Sequence, residues 1–81
     1  MLTIYGTMLC PDCVEAVKVL DEKKIPYDYK NITESLPEMK AFLKIRDTDP
    51  AFIPVKEGGY IGVPCFVKDD GSVTLSLEDV L

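Results

Sequence analysis

No stretch of this sequence approaches the ~18 consecutive apolar residues that a membrane-spanning helix needs, so no membrane partner is expected. The opening Met1-Leu2-Thr3-Ile4-Tyr5 lacks both a cationic start and a long apolar region, and is expected to begin a strand instead of a secretion signal. A cytoplasmic location follows as the expectation, in a compartment that keeps thiols reduced. Basic residues are in the minority, 9 against 14 acidic ones, giving a net charge of −5. No basic patch with interleaved aromatics occurs, which argues against nucleic acid as a partner. The acidic residues are scattered and form no tail. Such a surface should be soluble and mildly repellent to anionic partners. Histidine is absent, and cysteine occurs only three times, at positions 10, 13 and 65. An odd cysteine count is poor material for a structural disulfide framework. A zinc site normally needs four ligands, so three sulfurs without histidine exclude a four-sulfur site within one chain, although not one shared between two. Repeats and low-complexity segments are missing as well.

What is present suits one small globular domain, residues 1–81. Hydrophobic residues make up 47% and charged residues 28%, an ordinary balance for a folded chain. A domain of this size buries only about 60% of the surface that its unfolded chain exposes, so its core is modest.

Residues 2–5 read as a strand ending at Gly6, followed by a loop over 7–10. Pro11 suits a first helical turn, where its missing N–H costs nothing. From Asp12 to Lys24 the spacing is helical, with Val14, Val17 and Leu20 expected on the apolar face and Ala16 and Val19 widening it. Pro26 ends that helix, and residues 27–32 alternate as a second strand. Thr33 or Ser35 can cap a second helix whose apolar face is Leu36, Met39, Phe42 and Leu43, running to about Ile45. Asp47-Thr48-Asp49-Pro50 reads as a turn or a short capped piece and Gly58-Gly59 as loop, and residues 47–62 are placed to form one lip of a substrate groove. Cys65–Lys68 and Ser72–Leu75 flank Asp69-Asp70-Gly71 as strand, turn, strand. Ser76, with Asp79 three residues on, can cap a last short helix. A helical crossover makes the first two strands parallel, and the hairpin makes the last two antiparallel. Tyr5, Tyr27 and Tyr29 read as core or sheet-face residues.

Cys10-Pro11-Asp12-Cys13 lies directly after a predicted strand and at the start of a helix. The spacing lets the second sulfur reach the first once the helical turn forms. The free N–H groups and positive dipole end of the helix favour a thiolate at Cys10. Cys13, one turn in, is placed to resolve a mixed disulfide. Two buried cysteines with no chemistry, or half of a metal site, would show the same spacing. The second signal is Gly62-Val63-Pro64-Cys65-Phe66, where a proline stands at a strand entrance and a cis bond is tolerated cheaply.

With Tyr5-Gly6-Thr7-Met8-Leu9-Cys10-Pro11-Asp12-Cys13 and Val63-Pro64 in view, the chain resembles a glutaredoxin. That resemblance implies an α/β thioredoxin-like fold, with a four-stranded mixed sheet in the order 2-1-3-4 flanked by helices. It implies Cys10 as nucleophile, Cys13 as resolving cysteine, Val63 as the residue whose backbone pairs with a bound thiol substrate, and Pro64 as the cis-proline beside the site. Three features depart from the family's glutathione-binding pattern. Asp12 stands where an aromatic residue is usual, no lysine precedes Cys10 in the region of Thr7, and Asp69–Ser76 replaces the usual Gly-Gly and acidic pattern. Asp12 also puts a negative charge near Cys10, which works against a thiolate there and favours a comparatively reducing pair.

The function expected is therefore thiol–disulfide oxidoreduction through a Cys10–Cys13 dithiol/disulfide cycle on protein or small-molecule disulfides. No cofactor is expected to bind tightly; glutathione or a flavoprotein reductase would recharge the pair. The alternatives are a metal or iron–sulfur module built on the cysteines and a non-catalytic thioredoxin-like interaction domain. Cys65 reads as a small buried strand residue, or else as a third sulfur near the pair. Arg46 reads as a solvated helix-end cation, or as an anchor for a substrate carboxylate.

Overall fold

Leu2–Gly6 forms the first strand, β1, of the computed structural model, which describes residues Met1–Leu81. The helix α1 (Pro11–Glu22) carries the chain over one face of the sheet to β2 (Tyr27–Asn31), which runs parallel to β1. The next helix, α2 (Leu36–Thr48), a 3-10 turn (Pro50–Phe52) and α3 (Ile53–Glu57) cross the other face. Two short strands, β3 (Cys65–Val67) and β4 (Val73–Thr74), complete the sheet, and a 3-10 turn, Leu77–Val80, follows. The order is β2-β1-β3-β4, with β3 antiparallel to both β1 and β4. This is the thioredoxin-like arrangement that the resemblance implied. No helix is long and apolar enough to cross a membrane.

Alternation along β1 divides the core. Ile4 joins Ala16, Leu20 and Phe66 under α1, while Tyr5 joins Ile32, Phe42, Phe52 and Cys65 on the far face. Phe42 and Phe52 meet edge to face with ring centroids 5.9 Å apart, a geometry favoured by the ring quadrupoles.

Helix α1 buries Ala16 and Leu20 of its expected apolar face together with Cys13, while Val14 is exposed. Cys13, Ala16 and Leu20 stand at i, i+3 and i+7, a stripe that contact with the sheet selects. The helix also stops short of Lys24, which takes a left-handed backbone with φ 57°. The Lys24 N–H donates to Asp21 O and the Ile25 N–H to Leu20 O, which satisfies carbonyls that the helix end would orphan.

Helix α2 runs three residues beyond the expected end at Ile45. Ser35, not Thr33, caps it, accepting from the Glu38 N–H at 3.4 Å. Leu36 and Leu43, expected on its apolar face, are exposed, and Phe42 is its buried residue. The segment 47–62 is largely helical, and Asp49 caps its 3-10 turn by accepting from the Ala51 N–H, as the short capped piece read there required. Pro50 and Pro54 occupy first-turn positions there, where proline's fixed φ initiates helix. The last hairpin holds its turn, but its strands are shorter than expected.

Candidate active site

Cys10 is the N-cap residue of α1, with Pro11 opening the helix and the Cys13 and Val14 N–H groups donating to the Cys10 carbonyl at 3.1 and 3.2 Å. Its backbone is extended and its side chain caps nothing, so the sulfur stays free at the helix entrance. Cys10 is half-buried at the surface and Cys13 is wholly buried one turn inside; both thiols are free. The pair thus has one accessible sulfur and one sheltered one.

The loop before Cys10 is held by Thr7. Its carbonyl accepts from the Cys10 N–H at 3.2 Å. Its hydroxyl accepts from the Leu9 N–H and pairs with the Thr33 hydroxyl at 2.9 Å, tying the loop to the end of β2. Thr33 in turn donates to the Asn31 side chain, so Thr33 serves the site and not the cap of α2. Sequence reasoning noted Thr7 only as the residue present where a lysine was missing.

Beside Cys10 opens a cleft of about 580 Å³, lined on one side by Thr7, Leu9, Cys10 and Asp12 and on the other by Gly59 through Val63. Asp12 is the one charged residue in its lining. The exposed apolar side chains Leu9, Tyr60 and Ile61 stand around it. Of the segment 47–62, residues 59–62 form a lip of this cleft and the rest does not line it. Arg46 holds that lip in place: its guanidinium donates to Ile61 O at 2.8 Å and to Tyr60 O at 2.7 Å. Both bonds are solvent-exposed and tie the helix-end guanidinium to main-chain carbonyls of the lip.

Val63 closes the cleft wall, and the Val63–Pro64 peptide is cis. Pro64 lies in an adjoining groove with Asp12, Glu15 and Ala16, so both residues face the first turn of α1. Gly62 precedes them at φ 94°, and a Cβ there would come within 2.5 Å of the Phe52 ring. Only glycine accommodates both the left-handed backbone and the close approach of the core.

Burial pushes the Cys13 thiol up to about 11, and the neighbouring Cys10 sulfur adds to the rise; the Thr7 main chain and the Tyr29 hydroxyl act in the opposite direction. Burial likewise pushes Tyr29 up to about 12. Cys65 is pushed up to about 12, again by burial first and by Asp49 second. Cys65 packs with Phe42 and Phe52 on the far face of the sheet, so it is a core residue and not a third sulfur of the site. No three potential metal ligands cluster anywhere in the chain. A dry, protonated thiol such as Cys65 is a poor nucleophile.

The Glutaredoxin family model matches residues 2–70 of this chain. A protein of Haemophilus influenzae (strain ATCC 51907 / DSM 11121 / KW20 / Rd), itself described only as "Uncharacterized protein", is 38% identical over 75 residues, covering 93% of this chain and 87% of its own length. No solved structure matches the chain significantly.

Proposed function

We propose that this chain, which belongs to the glutaredoxin family, is a dithiol thiol–disulfide oxidoreductase with Cys10 as nucleophile and Cys13 as resolving cysteine. The observation that supports this most directly is the graded burial of the two sulfurs across one helical turn. Cys10 is accessible at the helix entrance and Cys13 is wholly enclosed. The Cys10 thiolate attacks one sulfur of a substrate disulfide, and the other sulfur leaves as a thiolate that takes up a proton. Cys13 then loses its proton and attacks Cys10, breaking the mixed disulfide and releasing the second substrate thiol. The substrate disulfide has gained two electrons, and the two cysteines are joined. The helix N-terminus favours negative charge on the attacking sulfur, and thiolate fraction governs the first step.

The cleft suits an extended segment of a disulfide-bearing protein. Leu9, Tyr60 and Ile61 offer apolar contact, and the main chain of Val63 is the candidate partner for the substrate backbone. Glutathione and a flavoprotein reductase are the two candidate reductants. A cleft whose only charge is Asp12 offers no counter-charge to the carboxylates of glutathione, which favours the reductase.

The test is a redox titration of the dithiol against glutathione buffers with mass spectrometry of trapped adducts. A reversible two-electron transition that forms an intramolecular Cys10–Cys13 disulfide is expected. A glutathione adduct persisting on Cys10 would keep the chemistry and restore glutathione as reductant. Absence of any reversible transition would remove the enzymatic reading.

A further inference from the structure

Tyr29 lies on β2, opposite Ile4 in the parallel register with β1, and its side chain packs on the α1 face of the sheet. Its hydroxyl oxygen is buried and makes no well-formed hydrogen bond with any protein group. Buried hydroxyls are rarely left so, because the lost hydration is not replaced. The oxygen reaches its position across Gly6. A Cβ at residue 6 would lie 2.8 Å from the Tyr29 oxygen and 3.0 Å from Cys13 Sγ, so both atoms border the space that a side chain there would fill.

We infer that the Tyr29 hydroxyl is the hydrogen-bond donor that stabilises the Cys13 thiolate when the active-site disulfide forms or breaks. The inference rests on the dithiol reading given above. In the forming direction, Cys13 gives its proton to solvent, and its thiolate attacks Cys10 Sγ of the mixed disulfide. The Cys10–substrate S–S bond breaks and the departing thiolate takes up a proton. In the reverse direction, a reducing thiolate attacks Cys10 Sγ and the electron pair of the Cys10–Cys13 bond moves onto Cys13. Both directions place negative charge on a wholly buried sulfur. Water cannot stabilise that charge there, and a preorganised donor can.

The electrostatics agree with this role. The Tyr29 hydroxyl opposes the upward push that burial exerts on Cys13. Burial first, and the neighbouring Cys13 second, hold Tyr29 above its ordinary value, so its hydroxyl keeps its proton and remains a donor at neutral pH. Among the groups facing this pair, Cys10 acts on both and Tyr27 acts on Tyr29, whereas Asp12 and Glu15 on the same helix as Cys13 are exposed. Cys65 and Tyr5 lie with the core cluster of the opposite face.

Stopped-flow reaction of the reduced protein with the aromatic disulfide dithiobis(nitrobenzoate) separates the steps. A concentration-dependent release of coloured thiol reports attack by Cys10, and a concentration-independent release reports resolution by Cys13. In Tyr29→Phe the first phase should be unchanged. The second should slow about tenfold at neutral pH, with its alkaline midpoint raised by about one pH unit, the effect of losing one hydrogen bond to a charged group. An unshifted pH profile of the second phase in Tyr29→Phe, with the first phase intact, would overturn the inference. A wild-type protein with no second phase would instead overturn the dithiol reading beneath it. Should the variant unfold, the wild-type protein still decides. The labelled Tyr29 Cζ resonance should move in step with ionisation of Cys13, and its indifference to that ionisation would also overturn the inference.

Discussion

Cys13, Tyr29 and Cys65 all resist ionisation for the same reason: each would place negative charge where water does not reach. Cys13 is raised from 9.0 to about 11, Tyr29 from 10.0 to about 12 and Cys65 from 9.0 to about 12. An acid with a raised folded-state pKa keeps its proton while the unfolded chain loses it, so folding stability falls as pH rises. The stability of the reduced protein is therefore whole below about pH 9, the ordinary value of the two thiols, and is lost progressively toward pH 12. In the oxidised protein Cys13 has no proton to lose, so the alkaline loss should be shallower. Urea denaturation of both redox forms between neutral and alkaline pH checks this, and superimposable pH profiles would contradict it. Sequence alone placed Cys10 and Cys13 at a helix start because proline, the two-residue spacing and the preceding strand are all local signals. It could not place the Tyr29 hydroxyl near Cys13, since strand pairing and a glycine on the neighbouring strand bring the two together.

Among the elements, the lip over the cleft owes its position to α2. Arg46 lies near the C-terminal end of that helix and donates to two carbonyls of the 60–61 segment. Replacing it with glutamine removes a planar two-bond clamp that a shorter neutral amide cannot reproduce. Arg46→Gln should raise KM for a protein disulfide several-fold with kcat little changed, and should cost about 1–2 kcal/mol in stability. Steady-state kinetics together with urea denaturation test both parts, and an unaltered KM would remove the lip from substrate binding. The helical pieces at Pro50–Phe52 and Ile53–Glu57 were hidden from periodicity because they are only 3 and 5 residues long. Segments so short do not complete the apolar repeat by which helices are read. For α1 the repeat was legible through Ala16 and Leu20, but not its edge: Val14 and Cys13 are adjacent and both apolar, and only the sheet beneath distinguishes them.

For the molecule as a whole, a net charge of −5 and a cleft whose only charge is Asp12 set a sign for encounters with small substrates. Anionic disulfides should react more slowly than cationic ones of equal size at low salt. Raising ionic strength from about 10 mM to about 150 mM shortens the screening length from about 30 Å to about 8 Å. The rate with glutathione disulfide should then rise a few-fold, while the rate with the cationic disulfide cystamine falls. Asp12→Asn should narrow the difference between the two substrates. Salt dependences of the same sign for both would show that the charge of the chain plays no part in the encounter.

The sequence by itself determined the strand–helix–strand order, the dithiol at a helix entrance, the hairpin around Gly71 and the proline at the start of β3. Each of these is carried by residues within a few positions of one another, where backbone preference and local hydrogen bonding decide. The tertiary structure alone decided that Val14 is left exposed on α1, that Arg46 clamps the lip, that Cys65 lies across the sheet from the dithiol, and that the Tyr29 hydroxyl and Cys13 border one space over Gly6. These depend on packing between segments far apart in the chain, and no local preference encodes which residue will lie opposite which. Burial, which sets the ionisation of Cys13, arises only when those segments come together.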